Sequence, residues 1–159
     1  MKKVVLIRHA KAVHDTSYSD FERPLKPSGI RDATLMAERL SGDGIIPQLL
    51  VTSPAIRTQA TADIFSEHLS IPKPIADNNI YEGSQRDLLH VINEFDDKYD
   101  FIGLVGHNPG ISQMLYNFTG FDHDVPPGTV ALITFGFDEW KLLSHDTGKI
   151  EWFGTPKDD

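Results

Sequence analysis

The 159-residue sequence contains no cysteine, which excludes disulfides, thiolate metal sites and any hydrolase that attacks through a thiolate, and fits a reducing interior. Basic charge is in deficit: 15 Lys and Arg stand against 23 Asp and Glu, a net charge of -8. Such a field repels nucleic acid and anionic membrane surfaces, so neither is expected as a partner, and any anion must be held by a local cluster. Long apolar runs are missing too. Two N-terminal lysines precede only four strongly apolar residues, too few for a signal-peptide core, and no 18-residue apolar span occurs. A cytoplasmic, soluble, monomeric chain is the expectation. What is present is a hydrophobic content of 40%, enough at this length for one domain over residues 1–159 with a core of ordinary size.

Strand-like runs alternate with helical periods, the pattern of βαβ units. Val4-Val5-Leu6-Ile7 reads as a central parallel strand buried on both faces. The polar stretch from Lys11 to Pro27 is too long for an ordinary connection and reads as a functional loop. Ser28 is expected to cap a helix carrying Ile30, Ala33, Met36, Ala37 and Leu40 inward, ended by Gly42 and Gly44. Leu49-Leu50-Val51 forms a second buried strand. It leads to Ser53-Pro54, read as cap and first-turn residue of a helix with Ile56, Ala60, Ile64 and Phe65 on one side.

A third helix is predicted from Ser84 to about Asp97 with Leu88, Val91, Ile92 and Phe95 inward. Next come a strand over Phe101 to Val105 and a helix through Leu115, capped by Asn108 and opened by Pro109. Val130 to Phe135 and Ile150 to Phe153 read as strands separated by a turn around Asp146-Thr147-Gly148, an antiparallel pair or an edge. The fold class that follows is α/β, a three-layer sandwich with a mostly parallel central sheet, helices on both faces and an antiparallel edge.

Three strand-to-helix junctions carry residues suited to phosphate: Arg8-His9, Ser53 to Arg57, and Gly106-His107-Asn108. Parallel neighbouring strands place their carboxyl ends on one side of a sheet, where ligands of open α/β folds bind, so residues scattered in sequence can line one pocket. Two arginine forks can grip phosphate oxygens bidentately. An imidazole attacks only through an unprotonated nitrogen, and flanking guanidinium groups oppose its protonation.

Arg8-His9-Ala10-Lys11-Ala12, Asp20-Phe21-Glu22-Arg23-Pro24-Leu25 with Ser28-Gly29, Ser53-Pro54-Ala55-Ile56-Arg57-Thr58 with Thr61, and Gly106-His107-Asn108 together resemble the histidine phosphatase superfamily. The Arg-Pro-Leu segment and the small size are most similar to its SixA-type phosphohistidine phosphatases. Ala10 departs from the glycine common in the wider superfamily. The resemblance implies that His9 is a nucleophile that becomes transiently phosphorylated, that Arg8, Arg57 and His107 form the phosphate pocket, and that no metal or other cofactor takes part. Glu82, in Tyr81-Glu82-Gly83-Ser84, resembles the position of the superfamily's proton donor, and the alternative is a solvated or capping carboxylate. Arg23 either folds back over the phosphate or pairs with Asp20 or Glu22.

The expected substrate is phosphohistidine in a protein partner, because Ile71 to Glu82 leaves room for little more than a strand and a loop and so no cover for the pocket. A small phosphomonoester is the alternative, and a non-catalytic phosphate-binding module a further one. His14, His68, His90, His123 and His145 lack partners at a metal-ligand spacing and read as solvated. Lys11 reads as an exposed lysine, Asp96-Asp97 and Asp158-Asp159 as solvated charge, and Trp140 and Trp152 as packing residues.

Overall fold

The computed structural model describes residues 1–157; Asp158 and Asp159 lie outside the described residues. In chain order the elements are β1 (Lys2–Arg8), α1 (Pro27–Gly42), β2 (Leu49–Thr52), α2 (Ile56–Leu69), β3 (Ile75–Ala76), α3 (Gln85–Asn93), β4 (Phe101–Gly106), α4 (Gly110–Thr119), β5 (Val130–Phe135) and β6 (Gly148–Gly154), with short 3-10 turns at Asp20–Glu22, Asn78–Ile80 and Trp140–Leu142. The strands form one six-stranded sheet in the order β3-β2-β4-β1-β5-β6. The four from β3 to β1 run parallel, while β5 pairs antiparallel with both β1 and β6. The sheet is therefore the mostly parallel one with an antiparallel edge that the alternation of runs implies.

The pleat of β1 shows why its run is apolar at every position. Val4 and Leu6 belong to a core with Leu88, Val91 and Ile92 of α3 and Met114, Leu115 and Phe118 of α4. Val5 and Ile7 belong to another with Ala33, Met36, Ala37 and Leu40 of α1 and Ala62, Phe65 and Leu69 of α2. Alternate side chains thus enter opposite layers, and neither face of the strand meets water. Lys2, at the start of the same strand, is only 1% exposed. Its ammonium survives burial by donating to the main-chain oxygens of Asp97 (2.9 Å) and Tyr99 (2.7 Å) and to Asp100 Oδ1 (3.1 Å).

Several local expectations are corrected. Helix α1 starts at Pro27 with Lys26 before it, and Ser28 lies inside the first turn. Proline is favoured at the first helical position because its missing N–H has no intrahelical partner to lose. Ile30 is 48% exposed and leaves the buried face to Gly29, Ala33, Met36, Ala37 and Leu40. Helix α2 starts two residues after Pro54, and its buried face is Arg57, Thr58, Thr61, Ala62, Phe65, Ser66 and Leu69, with Ile56 exposed and Ala60 and Ile64 half-buried. Helix α3 stops at Asn93, short of Asp97; its start at Ser84 is a capping box in which Ser84 and Asp87 satisfy each other's main-chain N–H. Helix α4 continues past Leu115 to Thr119 and starts at Gly110, after Pro109.

Strand β4 inserts between β1 and β2, so the carboxyl ends of β1, β2 and β4 stand side by side. Each leads into a junction with a polar sequence. No helix among the described residues is long and apolar enough to cross a membrane.

Candidate active site

At the carboxyl ends of β1, β2 and β4 lies a cavity of about 700 Å³ lined by Arg8, His9, Arg23, Arg57, Glu82 and His107, along with Lys11, His14, Asp20, Lys26, Tyr81 and Asn108. Five Lys and Arg and only two Asp and Glu border it, in a chain with 15 against 23. The local cluster demanded by the acidic field is here. All six residues singled out from the sequence border this one cavity.

His9 follows the last residue of β1 and is 8% exposed. Its Nδ1 lies 2.8 Å from the main-chain oxygen of Ala10. A carbonyl oxygen only accepts, so in the neutral ring Nδ1 carries the proton and Nε2 keeps the lone pair. Burial, more than the positive charges of Arg57 and Arg8, pushes the His9 pKa down to about 4 against an opposing pull from the Ala10 hydrogen bond. The imidazole is therefore unprotonated at neutral pH. The ring of His107, at the end of β4, stands 5.3 Å from that of His9, centroid to centroid. Its Nε2 is 2.8 Å from Ser53 Oγ at the end of β2, so one hydrogen bond joins two of the junctions. Burial first, then Arg57 and His9, lowers the His107 pKa to about 3.

Ala10 is fully buried and its N–H donates to Thr61 Oγ1 (3.1 Å), while the Thr61 hydroxyl donates to the main-chain oxygen of Arg57 (2.7 Å). Thr58 Oγ1 likewise reaches the main-chain oxygens of Ser53 (3.0 Å) and Ala55 (2.9 Å). The polar inner face of α2 thus satisfies the backbone of the turn after β1 and of its own approach, and this explains why its apolar residues alone misplace the buried side. Arg8 donates from Nη1 to the main-chain oxygen of Val125 (2.8 Å), which also accepts from Asn108 Nδ2 (3.0 Å). The segment between α4 and β5 has no motif in the sequence, yet it fixes the first arginine. Arg8 Nε, Arg57 Nε and His107 Nδ1 are buried with no hydrogen-bond partner among the described residues. Buried unpaired nitrogens call for an explanation, and all three belong to residues bordering this cavity.

In the sequence Asp20 figures only as an ion-pair partner of Arg23. It does pair with Arg23, through Oδ1 to Nε (3.3 Å) and Nη2 (3.2 Å), and it also accepts at Oδ2 from Arg57 Nη2 (3.1 Å) and from the Tyr81 hydroxyl (2.7 Å). These partners, Tyr81 first, hold its pKa down at about 2, and Asp20 in turn raises Tyr81 to about 12. Arg23 thus pairs with Asp20, and it also borders the cavity. Lys11, read as exposed, is half-buried and pairs with Asp32 at 3.4 Å. His14 is exposed as expected but stands 3.2 Å from Arg23 Nη1 at the rim. Glu82 is exposed, takes a left-handed φ of 55°, and makes no hydrogen bond or ion pair with the described residues. Among these no group of three or more His, Asp or Glu is placed to hold a metal ion.

A family model, the histidine phosphatase superfamily (branch 1), matches residues 4–88. The chain belongs to this superfamily. An uncharacterized chloroplastic protein of Arabidopsis thaliana is 41% identical over 61 residues, 38% of this chain and 28% of that one. An uncharacterized protein of Mycobacterium tuberculosis is 28% identical over 109 residues, 68% of this chain and 66% of that one. The match thus spans about a quarter of the one relative and just under two thirds of the other. In fold the superfamily member is similar to a protein of Agrobacterium tumefaciens assigned to the SixA phosphohistidine phosphatases, with a TM-score of 0.84, 22% identity and 98% of both chains covered. It is also similar to the protein histidine phosphatase SixA in complex with tungstate, with a TM-score of 0.79, 20% identity and 97% of both chains covered.

Proposed function

We propose that this superfamily member is a metal-independent phosphatase that works through a phosphohistidine at His9 and acts on phosphohistidine in a protein partner. The observation that carries the reading is the His9 ring, fixed through Nδ1 on Ala10 with its lone pair on Nε2, unprotonated at neutral pH, in a cavity with Arg8, Arg57 and His107. Nε2 attacks phosphorus and the bond to the leaving group breaks, the leaving group taking a proton from Glu82 or from solvent and the later attacking water returning one. Water then attacks the phosphohistidine, restoring the Nε2 lone pair and releasing inorganic phosphate. The guanidinium groups and His107 hold the phosphoryl oxygens, so the protein's work is alignment and charge stabilisation. The guanidinium groups of Arg8 and Arg57, which border the cavity, are donors suited to those oxygens.

A protein substrate is supported by how little covers the site, because residues 71–82 hold only the two-residue β3 and one 3-10 turn. The volume of about 700 Å³ also admits a small phosphomonoester, which is the second reading. Acid-quenched enzyme given labelled substrate should carry an acid-labile, base-stable phosphate, His9→Ala should abolish both label and turnover with the fold intact, and EDTA should leave the rate unchanged. Label on another residue, or full turnover by His9→Ala, removes the covalent mechanism. Comparing kcat/KM for a phosphohistidine-bearing carrier protein and a panel of phosphomonoesters decides between the two substrates.

A further inference from the structure

We infer that Asp20 is a positioning residue that assembles Arg57 and Arg23 into one phosphate clamp before substrate arrives, an inference that rests on the phosphate-site reading above. Arg57 comes from α2 and is almost fully buried; Arg23 comes from the long loop after β1. Asp20 stands between them. Its Oδ2 accepts from Arg57 Nη2 (3.1 Å), its Oδ1 accepts from both Nε (3.3 Å) and Nη2 (3.2 Å) of Arg23, and its main-chain oxygen accepts from Arg57 Nη1 (2.6 Å). The Tyr81 hydroxyl, from the segment before α3, donates to the same Oδ2 at 2.7 Å. One half-exposed residue thereby ties together three segments that are far apart in sequence.

Two guanidinium groups in one small cavity repel each other, and each long side chain loses rotamer freedom when it is held. A phosphate binding to unassembled arginines would bear both costs. Asp20 offsets the first with its charge and the second with its hydrogen bonds. Arg8 is held instead by the Val125 carbonyl.

Simple charge counting gives the opposite sign, and this makes the inference sharp. Asp20 is an anion beside an anion site, so removing its charge should strengthen oxyanion binding if it acts only through Coulomb repulsion. If it preorganises the arginines, removing it should weaken binding. Once bound, a phosphate orders the arginines itself, so the loss should fall on KM more than on kcat.

The experiment is the dissociation constant of orthovanadate at fixed ionic strength for the wild type, Asp20→Asn and Asp20→Ala, with melting curves for each and kcat and KM on one phosphomonoester. The expected result is vanadate binding weakened by about tenfold in Asp20→Asn, at least as much in Asp20→Ala, and KM raised by about the same factor with kcat within about threefold of wild type. Unchanged or tighter vanadate binding by either folded variant overturns the inference. So does a loss confined to kcat. A wild type that binds no vanadate is a different failure, because it removes the phosphate site itself.

Discussion

Arg57 is held at every terminal nitrogen, with Nη1 on the Asp20 carbonyl and Nη2 on its carboxylate, and that geometry belongs to a planar fork. Lysine offers a single point charge in its place. Arg57→Lys should therefore lower kcat by about a hundredfold or more, the usual cost of removing a well-placed donor to developing charge, and should weaken vanadate binding. A fall in kcat/KM of less than about threefold would remove Arg57 from the phosphate site. Glu82 is separated from its bland reading by the leaving group. Alkoxide needs a proton from the enzyme, whereas imidazole leaves neutral once solvent has protonated its other nitrogen. Glu82→Gln should thus reduce kcat/KM for an alkyl phosphate much more than for phosphohistidine; equal losses on both would make it a positioning group, and no loss on either a solvated carboxylate. Arg8, His9 and His107 stand out in the sequence because each ends or closely follows a strand-like run, and Arg57 because it lies near the start of the helix that follows another such run. Asp20 does not, because an acidic residue in a polar loop has no periodicity, and its second arginine lies 37 positions away.

At the scale of elements, the loop after β1 is held down at Gly29. A Cβ there would collide with the main-chain oxygen of Lys11, in the stretch that follows the nucleophile. The contact lies where Lys26 N–H donates to the same Lys11 oxygen (2.9 Å) and Ala12 pairs with Leu25 in an antiparallel bridge. Gly29→Ala should force α1 and this loop apart, lowering stability by about 1–3 kcal/mol, the usual cost of overpacking, with kcat/KM falling as well because Arg23 and Asp20 ride on the loop. Urea unfolding and steady-state kinetics on the same preparation check both; an unchanged midpoint would mean that the backbones separate freely. The sequence located this loop through its length and the helix after it through its apolar period. It misplaced the inner face of α2 because that face is built from Thr58, Thr61 and Arg57, whose side chains serve the backbone and the cavity instead of the core.

For the whole molecule, the pair of buried His9 and half-buried His107 makes acid an antagonist of the fold. Both imidazoles are held below the ordinary value of 6.5, His9 at about 4 and His107 at about 3. Above pH 6.5 folded and unfolded chains alike keep them neutral. Between 6.5 and 4 the unfolded chain takes up protons that the folded chain refuses, so stability falls as pH falls, by up to about 1.4 kcal/mol per pH unit for each histidine. Urea midpoints measured from pH 7 to pH 5 should decline, and less steeply in His9→Gln and in His107→Gln. Equal slopes in all three proteins would show that the pair titrates as it does in the unfolded chain.

The alternation of apolar runs determined by itself that this chain makes a mostly parallel sheet covered on both faces, because strands such as Val4 to Ile7 must hide both sides and helices such as α1 only one. Strand ends are also local facts, and they announced Arg8-His9, the Ser53 to Arg57 turn and Gly106-His107. Tertiary structure alone decided the rest. The order β2-β4-β1 brings three separate junctions within hydrogen-bond reach, as Ser53 with His107 and the His9 N–H on the Gly106 carbonyl show. The Val125 carbonyl on Arg8, Asp20 between two arginines and the hydroxyls of α2 on the backbone are contacts between segments distant in sequence. No periodicity encodes such contacts, since they depend on how the layers pack and on which polar groups are left needing a partner once they have.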